Sequence, residues 1–287
     1  MTPENTLQST INYIKKELEE LYHARETESM AYILLEYVLK FSKTQIQLNR
    51  TENIKKEHFQ QIKTYTQELK TSKPIQYVLG ETEFYDLTFK VNEHTLIPRP
   101  ETEELVLAII NENQQEGLHI LDIGTGSGCI PISLSKNLKK ALVSSADISA
   151  EAIKKAKENA LLNQVDINFF HRDILKWKTF NWENFDIIVS NPPYVTEAEK
   201  SKMEKNVLDH EPHTALFVSD HDPLIFYRTI AELALQYLKK SGKLYFEINE
   251  SLGYEMVDLL EQKGFNSICL RTDINGKNRM ISAIKSH

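Results

Sequence analysis

Cysteine is scarce in this sequence. Cys129 and Cys269 are the two among 287 residues, each isolated. That excludes a disulfide scaffold and a thiolate metal cluster, and it suits a reducing compartment. Basic clusters are missing too. Against 41 Asp+Glu stand 34 Lys+Arg, a net charge of −7, and the lysines come as pairs on polar stretches rather than as a run. Phosphate neutralisation supplies most of the affinity of a duplex-binding protein, so direct nucleic acid binding is not expected. No apolar stretch approaches the ~18–20 residues of a membrane span, and Met1 to Thr10 has neither a basic start nor an apolar run. A cytoplasmic location with no membrane partner is the expectation. Glycine is absent before Gly80, so little interrupts helices in the first part of the chain.

What that first part contains is helical periodicity. Leu7, Ile11, Ile14, Leu18 and Leu21 recur at three- and four-residue steps and predict an apolar stripe. Met30, Ile33, Leu34, Tyr37, Val38 and Phe41 make a second, and Phe59, Ile62 and Leu69 a third. Residues 1–80 are therefore expected to form a small all-α bundle. Beyond Phe84, the residues Leu87, Phe89 and Val91 alternate as in a strand, which predicts a β-hairpin linker over 81–97. Pro100 stands where a first helical residue is preferred, with Glu101, Glu103 and Glu104 in the first turn. After Gly117, apolar strands at 118–123, 141–146, 167–170, 185–190 and 243–248 alternate with helices at 129–138, 151–162 and 224–238. Such alternation implies a mostly parallel sheet covered on both faces. The tail departs from it, because 265–272 and 279–284 flank Asn275-Gly276, a strong hairpin signal. A parallel sheet closed by an antiparallel hairpin is the outline of the Rossmann-like class I methyltransferases, and 98–287 are expected to form such an α/β domain.

Two features in this domain point to a bound cofactor. Leu121-Asp122-Ile123-Gly124-Thr125-Gly126-Ser127-Gly128 ends the first strand and opens a helix. Glycines let the backbone turn sharply and approach a ligand, and exposed amides at a helix start favour polar or anionic groups. The dinucleotide fingerprint is Gly-x-Gly-x-x-Gly; the spacing here is Gly-x-Gly-x-Gly, which resembles the S-adenosylmethionine loop. The second strand ends at Asp147, placed to accept both ribose hydroxyls. Either feature alone is equally a tight turn or a surface carboxylate. NAD binding is the rival for the pair, and the terminal hairpin and the next motif argue against it.

The strand 185–190 runs into Asn191-Pro192-Pro193-Tyr194. Two prolines fix φ twice and remove two donors, so the turn presents carbonyls and the Asn side chain. An amide nitrogen is a poor nucleophile because its lone pair is delocalised. The Asn191 oxygen and the Pro192 carbonyl can accept its two N–H bonds, aim the lone pair at a sulfonium methyl and stabilise charge developing on nitrogen. Tyr194 offers a flat face to the planar amide. The alternative is a rigid turn closing a strand. His210, Glu211, His213, Asp220, His221 and Asp222 crowd one segment, but their spacing fits neither a helical His pair nor a zinc set, so no metal is expected. Arg99 and Glu101 are further candidates for the site wall, though capping explains Glu101 equally well.

With these residues in view, the chain resembles the PrmC/HemK family, the protein-(glutamine-N5) methyltransferases that modify the Gly-Gly-Gln loop of class-one peptide chain release factors. The resemblance runs over nearly the whole chain. It is carried by Pro74-Ile75-Gln76-Tyr77-Val78-Leu79-Gly80, Phe84-Tyr85, the 96–103 segment with Arg99-Pro100-Glu101, the glycine loop, Asp147-Ile148-Ser149, Asn191 to Tyr194, Glu211-Pro212 and Asn275-Gly276-Lys277-Asn278-Arg279. It implies S-adenosylmethionine as cofactor and S-adenosylhomocysteine as product. Gly124, Thr125, Gly126, Ser127 and Gly128 would hold the methionine part, Asp147 the ribose, and Asp173 and Ile174 would flank the adenine, with Asn191 beside the cofactor. Some members have Trp where this chain has Ile174, so an apolar contact replaces an aromatic stack. Asn191, Pro192, Pro193 and Tyr194 would bind the target glutamine, with Asn191, Pro192 and Tyr194 serving catalysis, and the helical unit would recognise the release factor. Asn-Pro-Pro-Tyr is shared with adenine-N6 DNA or RNA methyltransferases, which the acidic charge disfavours. A ribosomal-protein glutamine methyltransferase is the alternative nearest in chemistry, and a non-enzymatic binding module is disfavoured by the intact motifs.

Overall fold

The computed structural model describes residues 5–286; the outermost positions of the two expected domains, 1–4 and 287, lie outside it. The chain divides into two units. One comprises the residues up to Gly80 together with Glu204–His210, and the other Glu81–Met203 with Glu211–His287.

The first unit is helical: α1 (Leu7–Leu18), α2 (Ala24–Leu39), α3 (Lys43–Leu48), α4 (Lys56–Leu69) and α5 (Ile75–Leu79). Thr6 caps α1 by accepting from the Ser9 amide. Leu7, Ile11, Ile14 and Leu18 are buried as their spacing predicts, whereas Leu21 is half exposed because the helix has ended. In α2 the buried stripe is Thr27, Met30, Ala31, Leu34 and Leu35. Ile33 and Phe41, placed on the inner stripe by the sequence pattern, are exposed; Leu34 and Leu35 carry the contact in place of Ile33, and Phe41 lies beyond the helix end. Each buried Leu or Ile contributes about 1.5–3 kcal/mol. Gly80, at φ +76°, ends α5 in the left-handed conformation and donates to the Gln76 carbonyl. Glu204–His210, placed by sequence in the second domain, clusters here, and His210 Nε2 lies 3.1 Å from the Thr71 carbonyl oxygen.

The second unit starts with β1 (Glu81–Phe84) and β2 (Leu87–Lys90), joined by Tyr85 and Asp86, both at positive φ, a two-residue turn matched to strand twist. The hairpin belongs to this unit rather than standing apart as a linker. Phe84 and Phe89 meet edge to face at 6.0 Å inside its core. There follow α6 (Pro100–Glu112), β3 (His119–Ile123), α7 (Cys129–Asn137), β4 (Leu142–Asp147), α8 (Ala150–Leu162), β5 (Asn168–His171) and β6 (Phe185–Ser190). Then come β7 (Val195–Thr196), α9 (Lys205–His210, in the first unit), α10 (His213–Leu216), β8 (Phe217–Val218), α11 (Ile225–Tyr237), β9 (Leu238–Glu247), α12 (Gly253–Gln262), β10 (Phe265–Thr272) and β11 (Asn278–Lys285).

Seven strands form the main sheet in the order β10-β11-β9-β6-β3-β4-β5. The five from β9 to β5 are parallel, and at one edge β11 runs antiparallel between β9 and β10. Two-residue alternation deals side chains to opposite faces. Leu121, Ile188, Leu244 and Phe246 pack against α11 and α12, while Ile120, Ile187, Val189 and Tyr245 pack against α6, α7 and the hairpin. This is the α/β architecture expected. The closing hairpin uses a longer turn than Asn-Gly alone suggests: Thr272 pairs with Asn278, and residues 273–277 loop around Asp273, whose carboxylate accepts from the Asn275 and Lys277 amides. Among the described residues no helix is long and apolar enough to cross a membrane.

Candidate active site

After β3 the next strand in sequence pairs on one side and β6 on the other, so β3 and β6 border the switch point where such sheets bind ligands. A cavity of about 390 Å³ opens there. Its floor is the loop after β3. Gly124 (φ +87°) donates to the Ala146 carbonyl at 2.8 Å, Gly126 (φ +53°) to Asp147 Oδ2 at 2.9 Å, and Gly128 (φ +85°) to the Thr125 carbonyl. A Cβ on Gly124 would meet the Asn191 carbonyl oxygen at 3.5 Å, and one on Gly128 would stand 2.9 Å from Ile132 Cδ1 and 3.1 Å from Ala156 Cβ. The space beside Gly124 would admit a Cβ, so its positive φ is what calls for glycine there, whereas Gly128 also serves packing of α7 on α8.

Asp147 ends β4 with Oδ1 accepting from the Ser149 amide at 2.8 Å. Burial pushes its carboxyl upward, opposed by those backbone amides, and the residue lines the cavity. Under the loop lies Asp122, fully buried. Its Oδ2 accepts from Ser145 at 2.5 Å, Ser145 is joined to Thr125, and its Oδ1 has no partner. Burial lifts this carboxyl to about 7. Cys129, also in the wall, has its thiol pushed up to about 12 by burial and stays protonated.

The β6 turn is braced from beneath. Ser190 Oγ donates to the Ile123 carbonyl at 2.6 Å. Asn191 Nδ2 donates to Thr102 Oγ1 (3.4 Å), Thr102 donates to Glu247 Oε2 (2.6 Å), and the Tyr194 hydroxyl donates to Glu247 Oε1 (3.1 Å). Asn249 Nδ2 holds the Tyr194 carbonyl at 3.2 Å. Burial first, then the Glu247 charge, pushes the Tyr194 phenol far above its ordinary value, so it remains a donor.

Of the residues singled out from sequence, Gly124, Thr125, Gly126, Ser127, Asp147, Asp173, Ile174, Asn191, Pro192 and Pro193 share this one wall. Gly128 and Tyr194 are not in it; the tyrosine is committed to Glu247 behind the turn. Arg99 lines the rim, fixed by Glu211, which is buried and accepts from Arg99 Nη2 (2.5 Å) and the Ile97 amide (3.2 Å). Sequence reasoning gave no role to Thr102 and Ile148, though both lie in the segments that carry the resemblance, and passed over Arg172; all three are lining residues. The Arg172 guanidinium sits 4.2 Å from the Phe170 ring and 4.5 Å from that of Trp182, an arrangement no local spacing announces. Glu247 left a signal, a carboxylate at the end of an apolar strand. The acidic groups at 210–222 are separately engaged: Glu211 on Arg99, Asp220 on the Ala198 amide and Asp222 on Arg228.

A cavity of this size, with amides, a carboxylate and a carbonyl-rich turn converging, can hold a nucleoside-sized ligand beside a planar polar group. Residues 101–214 match the family model described as "Methyltransferase small domain", and residues 9–80 match "PrmC N-terminal domain". The release factor glutamine methyltransferase of Flavobacterium psychrophilum is 51% identical over 268 residues, covering 92% of this chain and 94% of its own. The chain belongs to the release factor glutamine methyltransferase family. The protein of that name from Bacteroides thetaiotaomicron is 41% identical, over 94% of this chain and 97% of its own. Among solved structures, a methyltransferase from Pyrococcus furiosus superposes with a TM-score of 0.52 at 17% identity, over 71% of this chain and 91% of its own, which is a likeness of fold.

Proposed function

We propose that this chain transfers the methyl group of S-adenosylmethionine to the side-chain amide nitrogen (N5) of the glutamine in the Gly-Gly-Gln loop of class-one peptide chain release factors, in the cytoplasm. The observation that carries the reading is the Asn191 side chain. It lines the cavity beside the glycine loop, and its amide group is spent on Thr102, which leaves Oδ1 as an acceptor. The residues present fit the cofactor. Gly124 and Gly126, both at positive φ, line the floor, buried Ser127 Oγ has no partner, and Asp147 is held by backbone amides with lone pairs to spare. When bound, S-adenosylmethionine supplies an electrophilic methyl on a sulfonium.

The protein's part is position and dipoles. Asn191 Oδ1 and the Pro192 carbonyl accept the two N–H bonds of the glutamine amide, turning its lone pair towards the methyl and stabilising positive charge on nitrogen as it develops. No general base is needed before attack, since the proton leaves after transfer. Tyr194 acts from behind by bracing the turn. A pocket of a few residues cannot choose one glutamine among the many in a cell, so the helical unit up to Gly80 is assigned to release-factor recognition.

The test is incubation with labelled cofactor and cell extract, comparing the chain with Asn191→Ala. Label at a glutamine of a release factor, with turnover reduced on the order of 10²–10³ in the variant, supports the reading. Label in nucleic acid overturns it.

A further inference from the structure

We infer that Glu247 and Thr102 are positioning residues that set which way the Asn191 amide faces. The inference rests on the reading above, in which Asn191 Oδ1 is the acceptor for the substrate amide.

An Asn side chain has two faces of opposite polarity, and rotating it by a half-turn exchanges acceptor for donors. With the NH2 group towards the cavity, Asn191 would meet the N–H bonds of a substrate amide with N–H bonds of its own. Something must choose. The partner of Asn191 is Thr102 Oγ1, and a hydroxyl has one proton. That proton is committed, because Thr102 Oγ1 lies 2.6 Å from Glu247 Oε2. The lone pairs of Thr102 are what Asn191 meets, so Nδ2 turns to Thr102 and Oδ1 turns away from it.

Hydroxyl donors engage both oxygens of the carboxylate. Its other oxygen takes the Tyr194 hydroxyl at 3.1 Å, and the side chain is almost wholly buried at the end of β9. Burial pushes the Glu247 carboxyl upward and Glu101 of α6 adds to that, while the hydroxyls of Thr102 and Tyr194 and the charge of Arg279 on β11 favour its ionised, accepting form. Tyr227 of α11 puts its hydroxyl on the Glu247 backbone carbonyl at 3.2 Å, and Cys129 of α7 stays a thiol. Glu247 therefore speaks to the reacting centre through a relay of two hydrogen bonds, without touching substrate.

Two substitutions read the relay. Thr102→Val keeps the shape and removes the acceptor; Thr102→Ser restores it. Glu247→Gln offers Nε2 to Thr102 while its oxygen keeps Tyr194, which frees the Thr102 proton for Asn191 Oδ1 and reverses the preferred amide rotamer. We expect kcat to fall about tenfold in Thr102→Val and Glu247→Gln, with KM for release factor and the Kd for S-adenosylhomocysteine by calorimetry within twofold of wild type, and Thr102→Ser to recover most of the rate. Asn191→Ala, measured alongside, separates the two ideas. If it is slow but Thr102→Val and Glu247→Gln are not, or if Ser at 102 fails to rescue, the relay is wrong and the function stands. If Asn191→Ala itself turns over normally, both fall. Should Thr102→Val not fold, Glu247→Gln and Thr102→Ser still decide.

Discussion

Asp122 gives the sharpest stability test. It is wholly buried beneath the glycine loop, with one oxygen bonded to Ser145 and the other unpartnered. Burial raises its carboxyl from an ordinary 3.8 to about 7. A folded-state value above the unfolded one means the folded chain binds the proton more tightly. Stability is then greatest below the unfolded value and is lost as pH rises towards the folded one. At 1.36 kcal/mol per pH unit, the full loss above pH 7 is about 4 kcal/mol, of which roughly 2–3 kcal/mol falls between pH 5 and 8. Asp122→Asn cannot ionise and keeps an oxygen for Ser145. Its stability relative to wild type should therefore rise by that amount across the interval. Urea unfolding followed by tryptophan fluorescence suits the measurement, because Trp177 and Trp182 both lie in the unit that contains Asp122. A difference between variant and wild type that stays constant from pH 5 to pH 8 would refute the reasoning.

Three further outcomes follow from the site. Asp147→Ala should weaken S-adenosylmethionine binding by about 1.5–3 kcal/mol for each hydrogen bond lost to the carboxylate; unchanged affinity by calorimetry in a folded variant removes Asp147 from the ribose role. Gly128→Ala should destabilise the fold by about 2 kcal/mol, since φ is +85° and the new methyl meets Ile132 and Ala156, and a melting curve matching wild type contradicts that. Deleting the residues up to Gly80 should raise KM for release factor while leaving cofactor binding little changed. Methylation of intact release factor at full efficiency would reduce the helical unit to a scaffold.

Local patterns carried much of this molecule. The glycine loop, Asp147 and the β6 turn were legible because each lies within a few residues of a strand end, where spacing and turn chemistry are written in consecutive letters. The mostly parallel sheet with its closing hairpin followed from alternating strands and helices, whereas the strand order did not. The parts that escaped are those assembled from distant segments. Thr102 reads as an ordinary helix residue until Glu247, 2.6 Å away and on another element, gives it a role. Tyr194 was legible as part of the turn, but not its commitment to Glu247, because side-chain direction after two prolines depends on what packs behind. The outward turn of Ile33 has the same origin: periodicity marks an apolar face, and packing against neighbours selects its centre.

The hairpin of β1 and β2 bears on how such chains can be recombined. Asn159, on α8, holds Lys90 by both its amide and its carbonyl, at 2.7 and 2.9 Å, and with the same Nδ2 holds the Ser127 carbonyl at 2.8 Å. One buried side chain thus ties the hairpin's last residue to the loop that floors the cavity. A chimera that exchanged helical units between relatives by cutting after Ile97 would put Lys90 on the donor half and Asn159 and Ser127 on the other, so the knot would have to re-form across the two parents. The natural seam is Gly80, where a left-handed glycine ends one unit and the next strand begins.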